Sequence, residues 1–336
     1  MMNFYKIMFL IILMIGTLIA ISSYSWMSMW MGLEINLLSI IPLMKDSKNL
    51  FPSEAALKYF ITQALASSIL LMSIITSLNF NEMIPNTLNF LSLMMNSSFL
   101  MKMGAAPFHA WFPEVMEGLN WMNSFIMLTW QKIAPMMLIF YNCKFSIFFM
   151  LIIISSTLIS GILGLNQISL RKIMAYSSIN HIGWMIASMM NFQTIWMIYF
   201  IIYSIISLNI IWLFYKFNIF YLPQLFQILN FNKLTKLFFM INFLSLGGLP
   251  PFLGFFPKWL VINNLVQNNF LMISTLLIIF TLITLFFYLR ILFSSLTINT
   301  TETLKMNYSN LKIKMINFNF ISLMGLLICT MLFSFT

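Results

Sequence analysis

The chain has 336 residues, of which 61% are hydrophobic and only 7% are charged, with a net charge of +10. A soluble domain carries roughly 25% charged residues, so this composition excludes a soluble enzyme, a disordered chain, a coiled coil, a collagen and a disulfide-rich secreted scaffold. The sequence therefore predicts an all-α polytopic membrane protein. Its basic excess is explained by the positive-inside bias of membrane loops and not by nucleic-acid binding.

Apolar stretches long enough to cross a bilayer as helices, about 20 residues each, occur eleven times. In chain order they lie at 4–23, 25–44, 56–78, 86–106, 121–141, 145–165, 172–190, 194–215, 235–266, 270–293 and 315–335. The first begins almost at Met1, with no Arg-rich transit peptide and no cleavage site. We expect this of a protein made inside an organelle. Scarce valine beside abundant phenylalanine and methionine is typical of an AT-rich animal mitochondrial gene.

The charges between these spans indicate their orientation. If the N-terminus lies inside, the outer loops carry a single lysine, Lys144. The inner loops and flanks then carry thirteen basic residues: Lys6, Lys45, Lys48, Lys58, Arg171, Lys172, Lys216, Lys233, Lys236, Arg290, Lys305, Lys312 and Lys314. This asymmetry predicts eleven spans with the N-terminus inside and the C-terminus outside.

Four ionisable side chains fall within predicted spans: Glu34, Lys102, Lys132 and Lys258. A charge at the centre of a membrane helix costs about 2.5–3.5 kcal/mol on insertion scales. Snorkelling to the interface is an alternative for Lys102 and Lys258, but not for the central Lys132 or the short Glu34. Because desolvation favours the neutral forms of lysine and glutamate, these residues indicate a polar file on which protons are exchanged.

The two histidines allow two interpretations each. His181 lies mid-span in an unusually polar segment, residues 176–181, where it serves either as a proton relay or as a helix–helix hydrogen-bonding group. His109 follows Pro107 at a predicted helix break, where it either caps freed carbonyls or joins the relay.

The sequence predicts no cofactor or metal in this chain. Two cysteines, Cys143 and Cys329, are too few for an iron–sulfur cluster, and two histidines make no convincing haem or zinc site. Neither GxxxxGK[ST] nor GxGxxG occurs, so no loop is suited to hold a phosphate.

An internal repeat links two segments that lie 144 residues apart. Residues 104–114 (GAAPFHAWFPE) and 248–258 (GLPPFLGFFPK) share Gly, Pro, Phe, an aromatic residue, Phe and Pro in register. Proline and glycine interrupt a helix, and irregular backbone at membrane depth is tolerated only inside protein or beside water. The offset covers five spans, an odd number, which predicts inverted repeats of the transporter type; two ordinary proline kinks are the alternative.

Five motifs carry a resemblance to a known family. They are residues 30–36 (WMGLEIN), 54–60 (EAALKYF), 102–115 (KMGAAPFHAWFPEV), 130–135 (WQKIAP) and 247–255 (GGLPPFLGF). Over essentially its whole length the chain resembles the subunit 2 family of mitochondrial NADH:ubiquinone oxidoreductase, respiratory complex I, in its insect or arthropod form. The resemblance implies one membrane domain with antiporter-like, inverted five-helix repeats at 1–141, shortened at its N-terminus, and 145–293. A loop and C-terminal helix would follow at 294–336.

The resemblance also implies a role for each candidate residue. Glu34 would be the charge-coupling glutamate, paired with Lys102. Lys132 would be the central lysine of the hydrophilic axis. His181 would lie on the same axis in the second repeat, and Lys258 would be the terminal lysine facing the next pump subunit.

The family implies surroundings as well. The location would be the inner mitochondrial membrane, with the N-terminus in the matrix and the C-terminus in the intermembrane space. Partners would be subunit 4L on the Glu34 side, subunit 4 on the Lys258 side, and lipids including cardiolipin. Flavin, iron–sulfur clusters and ubiquinone would be bound by other subunits.

Three functions remain open from the sequence. The main interpretation is proton translocation driven by remote redox chemistry. A stand-alone cation/proton antiporter would need an acidic ligand in the second half, where only Glu302 lies beyond Glu117, in a predicted loop. A structural spacer is disfavoured by the cost of four buried charges.

Overall fold

The computed structural model describes residues 4–46, 49–80, 85–143, 146–190, 192–231 and 233–297. Within these ranges the chain forms fourteen α-helices, and its β-structure is a single isolated bridge between Ser169 and Tyr221. The prediction of an all-α protein is confirmed. The predicted span 315–335 and the loop before it lie outside the described residues.

The helices follow the predicted spans closely. The first seven are α1 (Phe4–Ser22), α2 (Trp26–Met44), α3 (Phe51–Phe80), α4 (Pro85–Met103), α5 (Trp111–Gly118), α6 (Trp121–Leu128) and α7 (Trp130–Tyr141). The next seven are α8 (Ser146–Gly164), α9 (Leu170–Met189), α10 (Gln193–Phe217), α11 (Leu222–Phe231), α12 (Lys233–Gly247), α13 (Phe255–Gln267) and α14 (Leu271–Thr297).

Two helices have no counterpart among the predicted spans. Helix α5 has eight residues and α11 has ten, so each is shorter than the roughly 20 residues that a membrane span needs. Residues 216–234 lie between two predicted spans, and α11 forms there because Leu225 and Leu229, one helical turn apart, are both buried.

Six helices in the described part of the chain are long and apolar enough to cross a bilayer: α1, α2, α3, α8, α10 and α14. The other predicted spans coincide with less apolar helices, α4 and α9, or with pairs of short helices, α6–α7 and α12–α13. Length and hydropathy therefore do not by themselves give a count of eleven, because the remaining spans carry polar patches or interruptions.

The chain divides into two compact units, Met1–Ile152 and Ile153–Thr336. In the first unit α2 packs against α1 and α3, and α4 packs against α3 and α7. In the second unit α9 contacts α10, α13 and α14. Every residue of α9 from Ile173 to Met189 is buried, so one of the least apolar helices of this unit is enclosed by its neighbours.

Candidate proton-transfer site

The backbone leaves the helix at both copies of the repeated motif. Helix α4 ends at Met103 and α5 begins at Trp111, while α12 ends at Gly247 and α13 begins at Phe255. The first glycine of each motif has a positive φ, 74° at Gly104 and 78° at Gly248. Glycine adopts this left-handed conformation without a steric penalty. The sequence repeat is therefore also a repeat of backbone conformation.

Lys258 joins the two sides of the second interruption. From the first turn of α13 its Nζ donates to the carbonyl oxygens of Gly247 at 2.9 Å and Leu246 at 3.4 Å. The same Nζ lies 5.7 Å from the ring centroid of Trp184. Carbonyls at a helix C-terminus and an aromatic face both stabilise a cation. The ammonium is thus directed at the end of α12. A snorkelling lysine would instead direct its ammonium toward water.

Glu114 occupies the position that corresponds to Lys258 in the first motif, in a different environment. Its carboxylate pairs with Lys58 at 2.6 Å, and the two side chains are 55% and 54% exposed. An exposed ion pair contributes little to stability. The two charged ends of the repeat are therefore not equivalent, and Glu114 lies outside the buried site.

Glu34 and Lys102 come together in the first unit. Glu34 on α2 is half-buried and Lys102 on α4 is buried, and the carboxylate interacts electrostatically with the ammonium. Neither Glu34 Oε1 nor Lys102 Nζ has a hydrogen-bond partner among the described residues. Their charges are therefore coupled without a direct hydrogen bond.

Uncharged polar side chains link the helices around this pair. Tyr59 on α3 interacts electrostatically with Glu34 and donates to Gln131 Oε1 at 3.4 Å. Gln131 on α7 in turn donates through Nε2 to Asn36 Oδ1 at 2.9 Å. Sequence reasoning missed Tyr59, Gln131 and Asn36 because it searched for charges, although Gln131 directly precedes Lys132.

Lys132 lies in the first turn of α7, beside an interruption that the sequence did not predict. Helix α6 ends at Leu128 and α7 begins at Trp130, so Thr129 divides the span predicted at 121–141. The side chain of Lys132 is buried, and its Nζ lies 5.6 Å from the ring centroid of Phe112. Pro135, inside α7, supplies no amide hydrogen to the helix. Lys132 thus lies in the first turn of a helix that follows an interruption, like Lys258.

The polar segment of α9 contacts two neighbouring helices. His181 Nδ1 lies 2.9 Å from the Tyr199 hydroxyl on α10, and Asn180 donates to Thr284 Oγ1 on α14 at 3.2 Å. Both contacts join neighbouring helices, as the hydrogen-bonding interpretation of His181 predicts. They leave the proton-relay interpretation of His181 open. His109 Nδ1 donates to the Pro107 carbonyl at 3.2 Å, which matches the capping alternative.

The candidate residues are distributed over both units. Glu34, Lys102 and Lys132 lie in the first unit, and His181 and Lys258 lie in the second. Trp184 lies one turn after His181 on α9, and the ammonium of Lys258 lies over its ring. Trp184 therefore connects His181 with Lys258. Within the described ranges, no group of three His, Cys, Asp or Glu side chains is placed to hold a metal ion.

Comparisons with known proteins identify the class. Residues 23–284 match the family model described as NADH:quinone oxidoreductase/Mrp antiporter, TM. The NADH-ubiquinone oxidoreductase chain 2 of Anopheles gambiae is 53% identical over 334 residues, which cover 97% of each chain. That of Aedes aegypti is 54% identical over 331 residues, again 97% of each chain.

Solved structures show the same fold. A chain of respiratory complex I from Thermus thermophilus matches with a TM-score of 0.86 and 21% identity, over 97% of this chain and 78% of that one. A chain of the Mrp complex from Dietzia sp. DQ12-45-1b matches with a TM-score of 0.76 and 15% identity, over 89% and 62% of the two chains.

The fold and the family model together define an antiporter-like membrane subunit. More narrowly, the chain belongs to the NADH-ubiquinone oxidoreductase chain 2 family in its insect form, which confirms the resemblance drawn from its motifs. It is therefore a chain of NADH-ubiquinone oxidoreductase, respiratory complex I.

Replacing Gly248 by alanine should displace Lys258. A Cβ at Gly248 would lie 2.8 Å from Lys258 Cδ and 3.0 Å from its Nζ, and the φ of 78° disfavours any side chain. We expect Gly248→Ala to lower the stability of the assembled subunit by about 1–3 kcal/mol. The melting temperature of the purified complex measures this loss.

Gly247→Ala is the matched control, because a Cβ at Gly247 would meet its nearest neighbours at 3.7 Å. Its effect should be clearly smaller than that of Gly248→Ala. Equal melting temperatures for the two variants would contradict the close approach of Lys258 to Gly248.

Proposed function

We propose that this complex I subunit moves protons across the inner mitochondrial membrane along Glu34, Lys102, Lys132, His181 and Lys258. The observation that carries the proposal is the burial of the three lysines, which are 7%, 1% and 6% exposed. Burial of charged groups costs several kcal/mol each unless they are compensated. Ionisable side chains kept at such a cost within membrane segments mark proton and ion pathways.

Electrostatic coupling supplies the mechanism in the first unit. Two unit charges about 4 Å apart interact by about 4 kcal/mol at an effective dielectric constant of about 20, and the energy is inversely proportional to the distance between them. A change in the charge of Glu34 therefore alters the proton affinity of Lys102, with which it interacts. A change at Lys102 then alters that of Lys132, and His181 and Lys258 continue the transfer in the second unit.

The same proposal includes the path of the chain through the membrane. We propose that the chain crosses the membrane eleven times and contains two inverted five-helix repeats, 1–141 and 145–293. The N-terminus would lie in the matrix and the C-terminus in the intermembrane space. Support comes from the charge asymmetry of the loops and from the positive φ shared by Gly104 and Gly248. The loop and last helix predicted for residues 294–336 belong to the same proposal. Helix α14 continues to Thr297, and residues 298–336 lie outside the described residues.

The proposal also names partners within complex I and assigns the cofactors to other subunits. We propose that subunit 4L contacts the Glu34 side, that subunit 4 contacts the Lys258 side, and that lipids including cardiolipin cover the remaining apolar surface. We assign flavin, iron–sulfur clusters and ubiquinone to other subunits, so that this chain binds no cofactor. Two observations support this assignment: the relatives are one chain of an NADH-ubiquinone oxidoreductase, and this sequence has no phosphate-binding loop.

A stand-alone antiporter is the weaker alternative. Similarity to the Mrp complex chain, at 15% identity, concerns the fold alone. After Glu117 the only acidic residue of the sequence is Glu302, which lies outside the described residues. A cation exchanger would therefore lack an acidic ligand on the described helices of the second unit.

Lys132→Met should abolish coupled proton transfer while the complex still assembles. Methionine fills a similar volume but carries no proton, so the step after Lys102 is lost. We expect NADH oxidation by ubiquinone in sealed membranes to fall at least about fivefold, the lower end of typical coupling between linked sites. A native gel stained for NADH oxidation shows whether the variant complex assembles.

Lys58→Met removes a lysine of the same charge from an exposed position, and it should leave the rate near that of the original chain. If the Lys132→Met complex assembles and turns over at the original rate, the structural-spacer interpretation is favoured instead.

Glu34→Gln should uncouple the first unit, because an amide of the same size cannot alter the charge next to Lys102. We expect fewer protons to be translocated per NADH oxidised, measured by dye quenching in sealed vesicles. Glu114→Gln is the control, since its carboxylate is exposed and paired with Lys58. The charge-coupling role of Glu34 is wrong if both variants translocate the original number of protons.

A further inference from the structure

Three buried tyrosines interact with one another beside His181, and two of them contact its ring; the proton path described above uses none of them. Tyr199 and Tyr203 lie on α10 and Tyr288 lies on α14, with exposed fractions of 1%, 3% and 1%. Buried phenols normally have a hydrogen-bond partner. Each of these three hydroxyls is therefore expected to interact with a neighbouring polar group.

Tyr199 and Tyr203 contact His181 in different ways. The hydroxyl of Tyr199 lies 2.9 Å from Nδ1 of the imidazole. Tyr203 instead packs against the ring, with 4.9 Å between ring centroids, and its hydroxyl interacts with Ser178. The hydroxyl of Tyr288 interacts with Ser177. Tyr199 is therefore the tyrosine whose hydroxyl is directed at a ring nitrogen of His181.

We propose that Tyr199 is a positioning residue for proton transfer at His181, an inference that rests on the proposed function of His181. The phenol oxygen accepts a hydrogen bond from Nδ1–H and so fixes the neutral tautomer. Nε2 is then the nitrogen that gains one proton to form the imidazolium and releases one proton to restore the neutral ring. Tyr199 keeps its own proton throughout, because a buried phenolate would be costly.

The hydrogen bond also affects how easily the imidazolium forms. The titratable groups in contact with His181 are the phenols of Tyr199 and Tyr203. Tyr288 on α14 interacts with both phenols, and the ammonium of Lys258 on α13 lies over Trp184, one turn from His181. A charged Lys258 opposes a second positive charge on His181. A hydrogen bond from a charged donor is roughly twice as strong as a neutral one, so Tyr199 offsets part of this repulsion.

Tyr199→Phe tests the inference in assembled complex I, because it removes the hydroxyl and keeps the ring. We expect coupled turnover at neutral pH to fall by up to about tenfold, the effect of one lost hydrogen bond to a charged group. The protonated ring loses more than the neutral ring, so the pH dependence of proton translocation should move to lower pH, by up to about one unit.

Tyr203→Phe is the matched control, since it removes an equally buried hydroxyl from the same helix that is not directed at a ring nitrogen. It should leave the pH dependence in place. Equal pH profiles for Tyr199→Phe and Tyr203→Phe would overturn the inference. A native gel confirms that each variant assembles before its profile is compared.

His181→Gln separates this inference from the proposed function. If Tyr199 acts through His181, the double variant His181→Gln/Tyr199→Phe should translocate protons no more slowly than His181→Gln alone. Additive losses would overturn the role of Tyr199 and leave that of His181 intact. Unchanged translocation in His181→Gln would instead show that the proposed role of His181 is wrong, and with it that of Tyr199.

Discussion

The cost of holding lysine side chains away from water is the constraint to which the rest of this structure responds. Each of the three buried lysines is compensated differently. Two helix-end carbonyls and the Trp184 ring stabilise Lys258. The charge of Glu34 stabilises Lys102, and the ring of Phe112 stabilises Lys132. These solutions differ in strength. Hydrogen bonds hold Lys258 in place, whereas the coupling of Lys102 to Glu34 changes with the protonation of the carboxylate.

Backbone interruptions make this compensation possible. A continuous helix uses its own carbonyl groups, and only a helix end leaves them free. The break after α12 frees the carbonyls that Lys258 binds, and the break at Thr129 places Lys132 in the first turn of α7. The glycines at 104 and 248 permit the required turns. Charged side chains and broken helices are therefore two parts of one arrangement.

The sequence predicted the features that depend on composition and spacing: the all-α membrane fold, the membrane lysines and the interruptions at both Gly-Pro motifs. Helices α5 and α11 were missed because short helices lack the length on which span prediction relies. The break at Thr129 was missed because neither Gly nor Pro marks it. Gln131 and Tyr199 were missed because an uncharged polar residue acquires its role from a partner far along the chain, which spacing does not show.

On the proposed path, protons pass between Lys102 and Lys132 inside the first unit. Cryo-electron microscopy of the assembled complex, at a resolution that shows ordered waters, tests this step. We expect a continuous path of waters and polar side chains, including Gln131, between the two Nζ atoms in at least one turnover state. Apolar side chains filling that space in every state, resting and turning over, would contradict it.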